Sequence, residues 1–220
     1  MANLLFLGPP LAGKGTQAKR LSERYGWPQI STGDLFRQAY ARKTLLGIQA
    51  NNLYWGKGNL VPDNLTNQIA FERLTQEDCK KGYILDGYPR TVGQATALES
   101  FHSQQGGGLD AVIYFNCPER MLVERASSRL VCPGCGMIYG KGSLFPSGGV
   151  CGRCQGQIAP RSDDREEIIG ERLREYQQKT APLLPFYQHY HQLVHEINAA
   201  WPILEVSLEI EKILVQIQKK

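Results

Sequence analysis

A chain of 220 residues, 42% hydrophobic and 21% charged, has ample material for a buried core and suits one core domain with a small insertion. A formal net charge of +4 is too modest to indicate nucleic acid as a partner, which needs a concentrated basic patch. No apolar run approaches the roughly 20 residues of a membrane span, and the apolar start is ended by Gly8 after a single strand's length, so a cytoplasmic protein with no leader and no membrane partner is expected.

In chain order, residues 3–7 read as a short buried strand, almost continuously apolar and stopped by Gly8-Pro9-Pro10. Residues 14–25 follow as a helix, with Ala18 and Leu21 on its apolar side. Tyr83-Ile84-Leu85, ended by Asp86-Gly87, gives a second buried strand, and residues 109–115 a third. A last strand is expected at 202–206, with a closing helix to Lys220. Helix-length amphipathic segments lie between, at about 32–55, 62–76, 94–102 and 118–129. Strands alternating with helices predict an α/β protein with a parallel sheet covered on both faces. Residues 131–160, rich in glycine and cysteine, interrupt the pattern. Beyond them Ser162-Asp163-Asp164 opens a long helix with acidic residues in its first turn, where they suit the helix dipole, and Pro182 and Pro185 end or restart it.

The segment Gly8-Pro9-Pro10-Leu11-Ala12-Gly13-Lys14-Gly15-Thr16 follows a strand and opens a helix. Such a loop curls backbone N–H groups around phosphate oxygens at a helix N-terminus, and its lysine adds a point charge. The G-x4-G-K spacing is met, although Gly15 stands where a plain Walker A loop has Ser or Thr. The loop by itself indicates a nucleoside triphosphate. Asp86, after an apolar strand, has the position of a Walker B acid.

Cys132-Pro133-Gly134-Cys135 and Cys151-Gly152-Arg153-Cys154 are two C-x2-C knuckles fifteen residues apart. In a reducing compartment that spacing suits a closed, structural four-cysteine zinc site, with iron and a pair of disulfides as the alternatives. The stretch between the knuckles has little apolar material, so a metal would supply folding energy that a core otherwise gives. Cys79 and Cys117 read as small apolar residues. His191 and His195 are spaced one helical turn apart and read as a solvated helix face.

Further blocks carry a family resemblance. Ser31-Thr32-Gly33-Asp34-Leu35-Phe36-Arg37, Asp86-Gly87-Tyr88-Pro89-Arg90, Gln94, Arg125, Arg129, Arg161-Ser162-Asp163-Asp164 and Arg172 follow the phosphate loop in order. With that loop they make the chain resemble the adenylate kinases, a branch of the nucleoside monophosphate kinases, over nearly its whole length. The resemblance implies a five-stranded parallel core at 1–31, 65–130 and 161–220, a helical AMP-binding insertion at 32–64 and a zinc-binding lid at 131–160. It implies ATP, AMP and ADP as ligands, Mg2+ with ATP, structural Zn2+, and a monomer.

Roles come with it. Lys14 would hold the transferring phosphoryl group with the amides of Gly13, Gly15 and Thr16. Arg125, Arg129, Arg161 and Arg172 would gather around the phosphates, and Arg37 and Arg90 would clamp the AMP phosphate. Thr32, Leu60, Val61, Gly87 and Gln94 would surround the AMP base, and Asp86 would orient Mg2+ through water. Planar, permanently charged guanidinium groups suit this work, because phosphoryl transfer depends on positioning and charge neutralisation. The sequence departs from the family at Leu11, commonly glycine there, at Gly140, where histidine is frequent, and at Pro62, where threonine is common. A position of positive φ would strain Leu11. Two rivals stay open: a monophosphate kinase for another base or donor, and a zinc-ribbon binding module, against which few basic residues lie between the knuckles.

Overall fold

The computed structural model describes residues 2–54, 59–140, 147–160, 166–191 and 193–217. Its centre is β1 (Asn3–Leu7), an apolar strand whose side chains alternate between two buried faces. Leu4 and Phe6 pack with Ala18 and Leu21 of α1 (Lys14–Tyr25), Leu122 of α6 (Glu119–Ser128) and Ile210 and Leu214 of α9 (Ile203–Ile217). Leu5 and Leu7 face the other way, onto Ala70 and Leu74 of α4 (Asp63–Leu74), Leu98 of α5 (Val92–Gln105) and Leu183 and Tyr187 of α8 (Leu183–His191). Each large side chain removed from water here contributes about 1.5–3 kcal/mol, so the two clusters carry much of the stability.

The remaining strands of the sheet are β2 (Gln29–Ile30), β3 (Tyr83–Asp86), β4 (Ala111–Asn116) and β8 (Val194–Asn198). The order is β2-β3-β1-β4-β8 and every pairing is parallel. Because β1 has β3 on one side and β4 on the other, the loop after β1 opens at the carboxyl end of the sheet, where connections diverge and ligands of α/β folds bind. Phe6 lies level with Asp86, so the carboxylate that ends β3 stands beside that loop.

Several boundaries differ from expectation. The last strand is residues 194–198, and residues 203–217 form α9 instead of a strand. Pro202 stands just ahead of its first turn, and Val206, Ile210, Ile213 and Leu214 recur at helical spacing on the buried side. His195 therefore sits on β8 while His191 ends α8, so the two do not share a helix face. The expected helix over 32–55 is two, α2 (Thr32–Ala41) and α3 (Leu45–Leu53), broken where Lys43 turns to φ 55 and Thr44 caps α3 by accepting from the Gly47 N–H. The long helix after the cysteine segment runs as α7 (Glu166–Glu175), a π-turn over Tyr176–Thr180, and then α8 from just beyond Pro182; its expected start at Ser162-Asp163-Asp164 lies outside the described residues.

Two smaller packed groups stand on this core. Phe36, Ala50 and Val61 join α2 and α3 to the approach to α4. In the cysteine segment, β5 (Leu130–Val131) pairs antiparallel with β6 (Ile138–Tyr139) and β7 (Ala159–Pro160), around buried Cys132, Tyr139 and Cys151. No helix among the described residues is long and apolar enough to cross a membrane.

Candidate active site and metal centre

The loop from Gly8 to Lys14 is shaped by backbone conformations that few side chains accept. Gly13 caps α1 at φ 98, and Leu11 takes φ 69, the left-handed conformation that the sequence made a source of strain. Leu11 is nonetheless buried in the core against α1 and α6 residues, and that burial offsets the backbone cost. Lys14 reaches back across the loop, Nζ donating to the Gly8 and Pro9 carbonyls at 2.7 Å each. Burial draws its pKa down to about 8, and the nearby charges of Arg90, Arg172 and Arg129 push the same way, while Asp86 opposes them. Arg90 from the loop after β3, Arg129 from just past α6 and Arg172 of α7 therefore bear on one amine, which is the charge convergence a polyphosphate needs.

Asp86 is the counter-charge. Burial raises its pKa, with Lys14 and a hydrogen bond from Gln29 acting against the rise, and Gln29 Nε2 donates to Asp86 Oδ2 at 2.9 Å. A Cβ on Gly15 would come 3.1 Å from that same oxygen, so the glycine in place of the usual Ser or Thr lets the carboxylate approach the loop. One carboxylate beside a phosphate cradle is a donor set that fits Mg2+ held mainly by substrate phosphates and water.

The other predicted residues divide into two groups. On one side Arg125 lies beside Gly13 and donates to the Ala199 carbonyl at 2.7 Å and to the Leu11 carbonyl at 3.4 Å, tying the loop to the β8–α9 turn. On the other, Thr32 Oγ1 and Arg90 Nε both donate to the Gly87 carbonyl, at 3.1 and 2.8 Å. Arg37 lies over Gly33 and pairs with Asp34 at 2.5 Å. Gln94 is buried at the start of α5, Val61 is buried against Phe36, and Leu60 is half-buried beside it. Gly13, Gly15 and Thr16 are partly open to solvent at the start of α1. Arg161 lies outside the described residues.

Over this loop lies the cysteine segment. The ligand sulfurs of Cys132, Cys135, Cys151 and Cys154 all fall within 4.8 Å of one another, and all four thiols are free. Sulfurs bound to one tetrahedral ion at about 2.3 Å stand roughly 3.8 Å apart, so the cluster fits a metal and is too open for S–S bonds of about 2.05 Å. Tyr139 Oη donates to Cys151 Sγ at 3.2 Å and accepts from the Gly152 N–H at 3.0 Å, and the hydroxyl holds the Cys151 thiol below its ordinary pKa. Tyr139→Phe is expected to weaken metal binding roughly 10–100-fold, measured by competition with a chromogenic chelator; unchanged affinity would contradict the support assigned to the hydroxyl. Lys19 Nζ donates to the Cys135 carbonyl at 2.9 Å, and Arg153 pairs with Glu23 at 2.7 Å, so the segment rests on the helix that begins at the phosphate loop.

Residues 6–192 match the family model for adenylate kinase. The adenylate kinase of Fervidobacterium nodosum is 47% identical over 220 residues, covering 99% of this chain and 100% of its own. Those of Thermosipho africanus and Archaeoglobus fulgidus are each 46% identical, covering 96% and 98% of this chain and 99% of theirs. The chain belongs to the adenylate kinase family. It is thus a nucleoside monophosphate kinase, and the zinc-ribbon binding module is set aside.

Two polar residues of the site escape sequence reading. Gln29 sits on a two-residue strand too short to leave a periodic signal. Asp63, which accepts from Gln94 Nε2 at 2.8 Å, looks in sequence like an ordinary first-turn acid of α4. A titration follows from Lys14. The free enzyme loses its loop charge as pH rises through about 8, so kcat/KM for ATP is expected to decline above that point. Bound phosphate favours the charged amine, so kcat should hold to higher pH. A flat kcat/KM profile from pH 7 to 9.5 would contradict this. Because the folded pKa lies below the ordinary 10.5, the unfolded chain binds more protons between those values, and this group's contribution to stability rises with pH across that window.

Proposed function

We propose that this chain catalyses the reversible, Mg2+-dependent transfer of the terminal phosphoryl group of ATP to AMP, giving two ADP. The observation that carries the reading is the phosphate loop in which Lys14 Nζ is held by the Gly8 and Pro9 carbonyls, with the charges of Asp86, Arg90, Arg172 and Arg129 bearing on it. An oxygen of the AMP phosphate attacks the γ-phosphorus of ATP, the bond from that phosphorus to the bridging oxygen breaks, and its electrons stay on the departing ADP. Lys14 and the amides of Gly13, Gly15 and Thr16 hold the β- and γ-phosphates. Arg125 and Arg129 stand with ATP, Arg37 and Arg90 with the AMP phosphate, and Arg161 and Arg172 neutralise charge on the oxygens in flight. Mg2+, bound with ATP and oriented through water by Asp86, would supply further neutralisation of the polyphosphate.

Thr32, Leu60 and Val61, from an insertion spanning 32–64, enclose the AMP base together with Gly87 and Gln94 of the core. Residues 131–160 form a lid that closes to exclude water, which would otherwise take the phosphoryl group. Cys132, Cys135, Cys151 and Cys154 would hold Zn2+ as a structural clip in that lid. Four free thiols suit a reducing cytoplasm, where the chain works as a monomer.

Following all three nucleotides by chromatography tests the reading. Each ATP consumed should be matched by one AMP and two ADP, only with Mg2+ present, and ATP loss without AMP should be at least about 100-fold slower, since a single closed site is worth several kcal/mol. Phosphate release outpacing ADP formation would overturn the transfer reading in favour of hydrolysis.

A further inference from the structure

Gln94, 1% exposed, is held at both ends of its amide. The Arg90 backbone N–H donates to Oε1 at 2.7 Å, and Nε2 donates to Asp63 Oδ1 at 2.8 Å. A peptide N–H only donates and a carboxylate only accepts, so these two partners admit one orientation of the amide. Asp63 is fixed in turn. Thr91 Oγ1 donates to its other oxygen at 2.6 Å, and the same hydroxyl caps α5 by accepting from the Gln94 N–H at 3.1 Å. The ring of Asp63, Thr91 and Gln94 thus joins the first residue of α4 to the first turn of α5.

We propose that Asp63 is the positioning residue that sets which nucleobase the acceptor site takes, by fixing the polarity of the Gln94 amide. The inference rests on the reading that Gln94 meets the acceptor base. With one Oε1 lone pair and one Nε2 hydrogen already engaged, the amide keeps one acceptor site on oxygen and one N–H on nitrogen. That pair complements an exocyclic amino group beside an unprotonated ring nitrogen, the edge of adenine. Hypoxanthine and guanine carry a carbonyl beside a ring N–H, the reverse polarity, and would oppose both atoms. The Arg90 N–H is backbone and stays a donor in every variant, so Asp63 is the member of the clamp that a side-chain change can remove.

IMP differs from AMP at that edge alone and is the probe. Asp63→Ala is expected to raise KM for AMP and to shrink the preference for AMP over IMP in kcat/KM, each roughly 10-fold, while KM for ATP and kcat at saturating AMP change less than about 2-fold. Asp63→Asn, whose side-chain oxygen accepts from Gln94 and whose nitrogen donates to Thr91, should restore both values to within a few-fold. Should Asp63→Ala fail to fold by circular dichroism, Asp63→Ser, one bond short of reaching Gln94, carries the same expectation. An unchanged AMP-to-IMP preference in these variants, or a loss spread equally over kcat and both KM values, would overturn the positioning role. Gln94→Ala keeps the two readings apart. If it leaves KM for AMP unchanged, the base contact itself fails; if it raises KM for AMP while Asp63→Ala does not, the contact stands and the role of Asp63 falls.

Discussion

Lys14→Ala is expected to lower kcat by roughly 10²–10³-fold while the folded structure persists. The amine sits inside the loop with its charge opposed by burial and by Arg90, Arg172 and Arg129, an arrangement that is costly with no anion present and favourable with one. A donor fixed in advance at the point where charge develops is worth about 2.7–4 kcal/mol in the transition state, which sets the size of the loss. The fold should tolerate the change. Lys14 is the first residue of α1, alanine is the best helix former, and the carbonyls of Gly8 and Pro9 can turn to water. A melting temperature within about 3 °C of the parent, with the activity gone, is the expected pair of results, since relief of a partly buried charge offsets lost hydrogen bonds. Near-parental turnover in a folded Lys14→Ala sample would remove the lysine from the chemistry.

Stripping the metal is expected to unfold the cysteine segment and to lower both stability and activity. Among its described residues few are buried, namely Cys132, Cys151 and Tyr139, with two-residue strands around them. Such a module has too little apolar area to fold alone, and structural zinc contributes apparent binding energies of about 10–16 kcal/mol in comparable small units. If a third of that reaches the cooperative transition, the melting temperature should fall by about 10 °C, at roughly 2–4 °C per kcal/mol for a chain of this size. Activity should fall with it, because the segment rests, through Lys19 and Arg153, on α1, the helix that begins at the phosphate loop. The check is scanning calorimetry with a turnover assay before and after chelation, followed by readdition of Zn2+. An unchanged melting curve after verified metal removal would mean that the four sulfurs do something other than hold the segment together.

Both effects were legible in the sequence because their signals are local. The phosphate loop lies within nine consecutive residues between an apolar strand and a helix, and each knuckle spans four. Even the unusual backbone at Leu11 could be read from a residue standing where glycine is common, and its φ of 69 bears the reading out. What failed depends on neighbours far along the chain. The segment 202–206 is apolar enough for a strand, whereas Val194–Asn198 carries His195, Glu196 and Asn198 and reads as polar. Only its place at the sheet edge, paired with β4 alone, makes a polar strand acceptable. Gln29 and Asp63 were missed for the same reason, since their partners Asp86 and Gln94 lie 57 and 31 residues away. No periodicity encodes a hydrogen bond of that separation.

The measurement that bears most directly on the account is a coupled assay of ADP formation from ATP and Mg2+ with AMP, UMP, CMP or GMP as acceptor. Turnover with AMP at least about 100-fold above the other three is the predicted result, in keeping with a site whose buried polar groups are left unpaired by the wrong base. Comparable turnover with UMP or CMP, or none with any acceptor in a folded, metal-loaded sample, would contradict it.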